Sequence, residues 1–310
     1  MKKYNKKQIL IVGEVTDGLR QKLTSGIYSC DDDLSRDDYD ALIVRGMPLI
    51  GKNIIERQSN LKVIISAGIG LDNVDINLAT KRNISVANCP YASAISVAEH
   101  TLGLLLAISK KINQADSQIK ESKWDRSTNL ATELNGKRIA VIGLGAIGAH
   151  VAQLYKSIGM EVIGYDPFLH KYNFSTRNIR LAETLEEAVK DSNFISLHVA
   201  KNPKTINLIK DKHIKLLVNP NGIINTCRGG IVSEDLIEKK LDSQELGFYV
   251  ADVFETEPKP KPSLVSRRNV VATPHIAANS IEAQEQIIED VYTQLEEVFI
   301  ANKKPKYTVN

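Results

Sequence analysis

Cysteine is scarce in this chain: three residues in 310, Cys30, Cys89 and Cys227, widely separated and odd in number. That pattern excludes a disulfide framework and gives no metal-ligand spacing, so no metal is expected; reduced thiols in a cytoplasmic protein are the plain reading. Cys227 has no base at a suggestive spacing, so a nucleophilic role is not expected of it. Aromatic residues make up 5% of the chain, with one tryptophan, Trp124, expected to be a packing anchor. Long hydrophobic runs are missing too. The longest, Leu102 to Ile108, is far too short to span a bilayer, and Ile9 to Gly13 is too short for the apolar part of a secretory signal. An excess of one sign of charge is nearly absent, with 40 basic against 37 acidic residues, so neither nucleic acid nor a membrane is indicated as a partner. The basic cluster Lys2, Lys3, Lys6 and Lys7 reads as a solvated N-terminus.

What is present suits two globular domains, since 43% of the residues are hydrophobic and the chain is long enough for two cores. The first third alternates apolar runs (8–12, 41–45, 63–67, 84–87) with helix-like segments (17–24, 51–58, 75–81). Such alternation implies a parallel sheet covered by helices on both faces. Six more strands are expected at 138–142, 161–165, 194–198, 222–226, 247–253 and 270–273. Two long helical patterns, 95–121 and 283–301, separate these regions. The arrangement predicts a discontinuous substrate domain, 1–96 with 280–310, around a cofactor domain at 97–279, with the ligand cleft between them.

The most informative stretch is Lys137-Arg-Ile-Ala-Val-Ile-Gly-Leu-Gly-Ala-Ile-Gly148, a buried strand running into Gly143-x-Gly145-x-x-Gly148. A second strand ends in Asp166, 18 residues beyond Gly148. This is the order of a dinucleotide-binding βαβ unit. Gly143 allows the tight turn, Gly145 admits a pyrophosphate to the backbone, and Gly148 lets helix and strand approach. The pyrophosphate would sit on the helix N-terminus, and the Asp166 carboxylate would accept from ribose hydroxyls and repel a 2′-phosphate, favouring NAD. The bland alternative is a tight turn without a ligand, with Asp166 as a cap before Pro167. Beyond three neighbouring strands lie Arg228, the pair Asp252 and Glu257, and His275. In open α/β sheets, ligands bind outside the carboxyl ends of the strands, so these side chains can converge on one cofactor ring. His100, His150, His170 and His213 show no partner pattern, and His198 reads as a packed residue at a strand end.

With these residues the chain resembles the D-isomer-specific 2-hydroxyacid dehydrogenases over essentially its whole length. The segments that carry the resemblance are Ser66-Ala-Gly-Ile-Gly-Leu-Asp-Asn-Val-Asp75, Gly143–Gly148, Ile195-Ser-Leu-His-Val199, Asn225-Thr-Cys-Arg-Gly-Gly230, Asp252–Pro258 and Thr273-Pro-His-Ile-Ala277. Within that family it is most similar to short D-3-phosphoglycerate dehydrogenases without C-terminal regulatory domains. The resemblance implies two doubly wound parallel-sheet domains, a Rossmann cofactor domain inserted in a flavodoxin-like substrate domain. It implies NAD as cofactor, a small 2-hydroxy or 2-oxo acid as substrate, and a homodimer that exchanges the first interdomain helix and the arm 123–133. His275 is then the general base, Glu257 holds its ring, and Arg228 grips the substrate carboxylate. Cofactor contacts are implied for Gly143, Gly145, Ala146, Ile147, Gly148 and Asp166. More are implied for Val199, Thr226, Cys227, Arg228, His275 and Asp252, the last meeting the nicotinamide carboxamide. Arg45 and the backbone at Gly68, Ile69 and Gly70 complete the substrate site.

Two departures qualify the substrate. Ser66 stands where phosphoglycerate enzymes usually carry arginine, leaving Arg45 and Arg126 as cations for a phosphate. Ala146 replaces a common arginine in the glycine turn, so weaker NAD binding is expected, not its loss. The reading is therefore oxidation of 3-phosphoglycerate in serine synthesis. The alternatives are reduction of glyoxylate or hydroxypyruvate, a D-lactate-type activity, or a non-catalytic NAD(H)-sensing module.

Overall fold

Runs such as Ile9-Leu-Ile-Val12 and Val63-Ile-Ile65 have no polar face, and in the computed structural model they form strands buried on both sides. The structure describes residues 6–13, 15–46, 48–169 and 179–310; Lys2, Lys3 and His170 lie outside them. The chain divides into two compact units, Met1–Ser93 with Asn279–Asn310, and Ala94–Ala278.

The first unit runs β1 (Lys7–Gly13), α1 (Asp17–Thr24), β2 (Tyr28–Asp31), β3 (Ala41–Arg45), α2 (Lys52–Ile55), β4 (Val63–Ser66), α3 (Ile76–Lys81) and β5 (Ser85–Ala87). The five strands among its described residues pair in parallel in the order β2-β1-β3-β4-β5, the doubly wound order of flavodoxin. β2 was not expected from the sequence. Only Tyr28 of its four residues is buried, so it shows no apolar run.

The second unit begins with α4 (Ala94–Ser109) and α5 (Ile112–Lys120). It continues with β6 (Arg138–Ile142), α6 (Ala146–Ser157), β7 (Glu161–Tyr165), β8 (Arg180–Leu181), α7 (Leu185–Val189), β9 (Phe194–Leu197), α8 (Asp211–Ile214) and β10 (Gly222–Asn225). The unit ends with α9 (Glu234–Asp242), β11 (Phe248–Ala251), α10 (Pro262–Val265) and β12 (Val270–Ala272). The seven strands among the described residues are parallel, in the order β12-β11-β10-β9-β6-β7-β8. The chain reverses its direction of travel between β6 and β9, the position where such sheets bind ligands. The sheet has one strand more than the six expected, because β8 is two exposed residues at the edge. The single helix expected over 95–121 is two helices, broken where Lys111 takes a left-handed φ of 55°. No residue of α5 is buried, so no core contact in its own chain holds it in line with α4.

The last helix, α11 (Ile281–Phe299), returns to the first unit. Its Ile287, Val291 and Leu295 are buried in one core with Ile9, Ile11, Leu19 and Val63. Ser280 caps it by accepting from the Ala283 N–H. No described helix is long and apolar enough to cross a membrane.

Candidate active site

The glycine turn follows β6 directly. Gly143 has a φ of 92°, and a Cβ there would lie 2.3 Å from the His198 carbonyl oxygen. A Cβ on Gly148 would lie 1.9 Å from the Gly143 carbonyl oxygen. Both positions exclude any side chain. Gly145 differs: a Cβ there would meet no atom within 4 Å. It is the N-cap residue of α6, whose first turn is Ala146, Ile147 and Gly148 and holds no acidic residue. The turn therefore presents the positive end of a twelve-residue helix next to open space, which fits a pyrophosphate. Asp166 follows β7 and is fixed beside the turn, its Oδ2 accepting from the Leu144 N–H and its Oδ1 from the Phe168 N–H, each at 2.8 Å. Each carboxylate oxygen keeps a lone pair for a further donor.

The other cofactor-unit residues lie beyond neighbouring strand ends: Val199 after β9, Thr226, Cys227 and Arg228 after β10, Asp252 and Glu257 after β11, and His275 after β12. Glu257 and His275 are brought together, with Oε2 and Nδ1 2.9 Å apart, and both side chains are partly exposed. Glu257 Oε1 accepts from the Phe254 N–H at 2.9 Å. Burial pushes the Glu257 carboxyl up, but the hydrogen bond and charge of His275, the Phe254 N–H and the Arg228 charge bring it below its ordinary value. The contact with Glu257 engages Nδ1 of His275, so it is Nε2 that points away from that carboxylate. Arg228 donates Nη1 to the Cys227 carbonyl at 2.7 Å. Burial raises the Cys227 thiol, which disfavours a thiolate.

Asp252 is wholly buried, and both oxygens are engaged. Oδ1 accepts from the Thr273 hydroxyl at 2.6 Å and the Ile276 N–H at 2.9 Å; Oδ2 accepts from the Ala277 N–H at 2.9 Å. Its backbone carbonyl accepts from the His275 N–H at 2.8 Å. Three successive N–H groups of the His275 loop thus converge on one residue. Burial pushes this carboxyl up, and the donors of His100, Thr273, Ala277 and Ile276 outweigh it, so the net shift is downward.

In the first unit, Arg45 ends β3 and donates to the side chains of Asn279, at 2.9 Å, and Gln284. The carbonyls of Gly68, Ile69 and Gly70 accept from the Cys89 N–H, the Asn88 amide and the Ser66 hydroxyl. No described residue accepts from the three N–H groups of that loop. Ser66 is buried and spends its hydroxyl on the Gly70 carbonyl at 2.6 Å, so it shapes the loop where an arginine would project a charge.

The remaining histidines differ in role. His198 donates or accepts at Ser196 Oγ, 2.7 Å away, and burial pushes its pKa down to about 3, so it stays neutral at working pH. His213 accepts from the Lys210 N–H and faces Glu186 at 3.3 Å. His100, passed over in the sequence, lies 3.1 Å from Thr273 Oγ1 and 3.7 Å from Asp252. The available signal was the polar cluster Ser96, Glu99, His100 and Thr101 at the start of a helix whose following residues are apolar. Trp124, expected as a packing anchor, is 83% exposed in the chain. Among the described residues no group of His, Cys, Asp and Glu could hold a metal.

Residues 102–277 match the family model of the D-isomer specific 2-hydroxyacid dehydrogenase NAD binding domain. The chain is 40% identical to a D-3-phosphoglycerate dehydrogenase of Methanocaldococcus jannaschii over 84% of its own length and 50% of the relative's. It is 38% identical to a hydroxypyruvate reductase of Thermotoga maritima, covering 83% of this chain and 85% of that one. The solved structure of a D-lactate dehydrogenase from Aquifex aeolicus with NAD and lactic acid superposes with a TM-score of 0.82 at 26% identity, over 95% of this chain and 96% of that chain. The chain spans about half the length of the curated phosphoglycerate dehydrogenases it matches.

Two outcomes follow from this geometry. Gly148→Ala, whose methyl would strike the Gly143 carbonyl, lowers the thermal midpoint and abolishes dinucleotide binding, whereas Gly145→Val leaves the midpoint near wild type and weakens binding at least about tenfold. Equal losses of stability in both variants would contradict the open space at Gly145. Asp252, with its carboxyl lowered from 3.8, contributes stability that is fully present above the ordinary carboxylate range and lost as pH falls through its lowered value. Asp252→Asn, which turns one acceptor into a donor against the loop N–H groups, costs about 1–3 kcal/mol in urea titrations at pH 7 and flattens the acid limb of the stability curve.

Proposed function

The chain belongs to the D-isomer specific 2-hydroxyacid dehydrogenase family, and from that premise we propose that it interconverts a D-2-hydroxy acid and its 2-oxo acid with NAD in the cytoplasm. The observation that carries the reading is the 2.9 Å contact between Glu257, beyond β11, and His275, beyond the neighbouring β12, with Arg228 beyond β10 on the other side. Arg228 binds the substrate carboxylate with its forked donors and orients C2. His275 Nε2 takes the hydroxyl proton during oxidation and returns it during reduction. Glu257 fixes the ring at Nδ1 and stabilises the imidazolium that results. The neutral, buried His198 is unsuited to that task. The Gly143–Gly148 turn and Asp166 would hold NAD, which would supply the hydride acceptor when bound. Thr226, Cys227 and Val199 would line the nicotinamide end. Asp252, whose oxygens are already engaged, would act there chiefly by holding the His275 loop.

In the substrate unit, residues 1–96 and 280–310, the N–H groups of Gly68, Ile69 and Gly70 would cradle the carboxylate. Arg45, with Arg126 from a second subunit, would meet a phosphate. This supports 3-phosphoglycerate as substrate. Ser66 favours a second reading, an unphosphorylated acid such as hydroxypyruvate or glyoxylate, because its hydroxyl shapes the loop and adds no charge. Homodimerisation through the α5 arm is supported by Ile112, Ile119, Trp124 and Leu130, which are 52–84% exposed in the single chain.

NADH consumption with phosphohydroxypyruvate, hydroxypyruvate, glyoxylate and pyruvate tests the assignment. The expected outcome is the highest kcat/KM for the phosphorylated acid; a preference for an unphosphorylated one selects the second reading, and no consumption overturns both. His275→Ala lowers turnover by a factor on the order of 10² or more while NAD still binds. Sedimentation gives the mass of two chains, and Trp124→Glu with Ile119→Glu shifts it toward one; a wild-type monomer would refute the dimer.

A further inference from the structure

Helix α4 carries Ser96 and His100 at i and i+4, on one face, and Thr101 next along the chain, about 100° further round. Each reaches a different point of the loops that bear the candidate catalytic side chains. Ser96 donates its hydroxyl to the Ala277 carbonyl at 2.7 Å. Thr101 donates to the Val97 carbonyl at 2.6 Å, so at 2.8 Å it accepts from the Thr226 hydroxyl, two residues before Arg228. Thr273 gives its one proton to Asp252, so its oxygen accepts from His100, and Nε2 of His100 carries a proton. The hydrogen bonds then run in one direction, from His100 through Thr273 to the buried Asp252 carboxylate. That residue in turn gathers the N–H groups of His275, Ile276 and Ala277.

The loop needs such restraint. His275 itself sits at a φ of 55°, a conformation that side chains rarely adopt and that relaxes unless its surroundings impose it. We propose that His100, with Ser96 and Thr101 beside it, is a positioning residue, and that α4 is the rigid template that sets His275 and Arg228 in one frame. None of the three needs to touch substrate; they act through Thr273, Asp252 and Thr226. The inference rests on the reading of His275 as the base and Arg228 as the carboxylate ligand.

His100→Leu removes the donor to Thr273, and His100→Gln keeps an amide N–H that can replace it. The expected result for His100→Leu is a kcat lowered about tenfold with KM and NAD affinity within about twofold, the signature of a misplaced group and not of lost binding. His100→Gln recovers most of that loss. A second readout needs no turnover. In protein labelled at histidine, with the His275 signals assigned from His275→Gln, the NMR resonance of the His275 Nδ1 proton moves upfield in His100→Leu as its bond to Glu257 loosens, and returns in His100→Gln. A folded His100→Leu protein with unchanged kcat and an unchanged Nδ1 resonance overturns the proposal. Wild-type protein inert toward every acid overturns the reading beneath it, while the Nδ1 resonance still decides the positioning role. Should His100→Leu not fold, Thr101→Val carries the test through Arg228: KM for the acid rises at least about threefold, and an unchanged KM overturns the template.

Discussion

The ladders between the named strands of both units are all parallel, and the rest of the structure depends on that constraint. Parallel strands put all their carboxyl ends on one edge of a sheet, and each right-handed crossover returns the chain to the opposite edge. Residues far apart in sequence, such as Gly145, Arg228 and His275, are therefore delivered to one edge without any of them having to attract another. The same constraint buries both faces of the sheets, which explains the near-continuous Ile and Val runs and leaves polar chemistry only at strand ends.

What the sequence made legible follows from how local each signal is. The Gly143–Gly148 turn sits within six residues, and its three glycines have separate steric reasons: two backbone approaches under 2.5 Å and one opening. The strands at 138–142, 161–165 and 41–45 were readable because burial on both faces demands an unbroken apolar run. β2 and β8 lacked such a run, since their residues are mostly half-buried or exposed. The break at Lys111 was invisible because α4 and α5 each keep helical periodicity and only the backbone between them changes hand.

The site divides in the same way. Arg228, Glu257 and His275 were placed by strand ends and by family likeness, and the structure adds the contact between Glu257 and His275. Their supports were not readable, because His100 meets a partner 173 residues away and Thr101 one 125 residues away. Ser66 was legible only as a missing arginine. Its hydroxyl bonds to the Gly70 carbonyl and so fixes the backbone of that loop. Trp124 misled because a large aromatic is usually buried, and within one chain this one is not.

The discontinuous first unit also imposes an order of assembly. β1 to β5 expose the face that α11 covers, and that helix leaves the ribosome only after the whole intervening unit has been made. At ordinary rates of synthesis the delay is on the order of ten to forty seconds. The contiguous unit, Ala94–Ala278, has every strand and helix of its own core in hand during that time and can complete itself first. The nascent N-terminal sheet meanwhile waits with Ile9, Ile11 and Val63 without their final cover, which makes it the segment where holding chaperones have most to do.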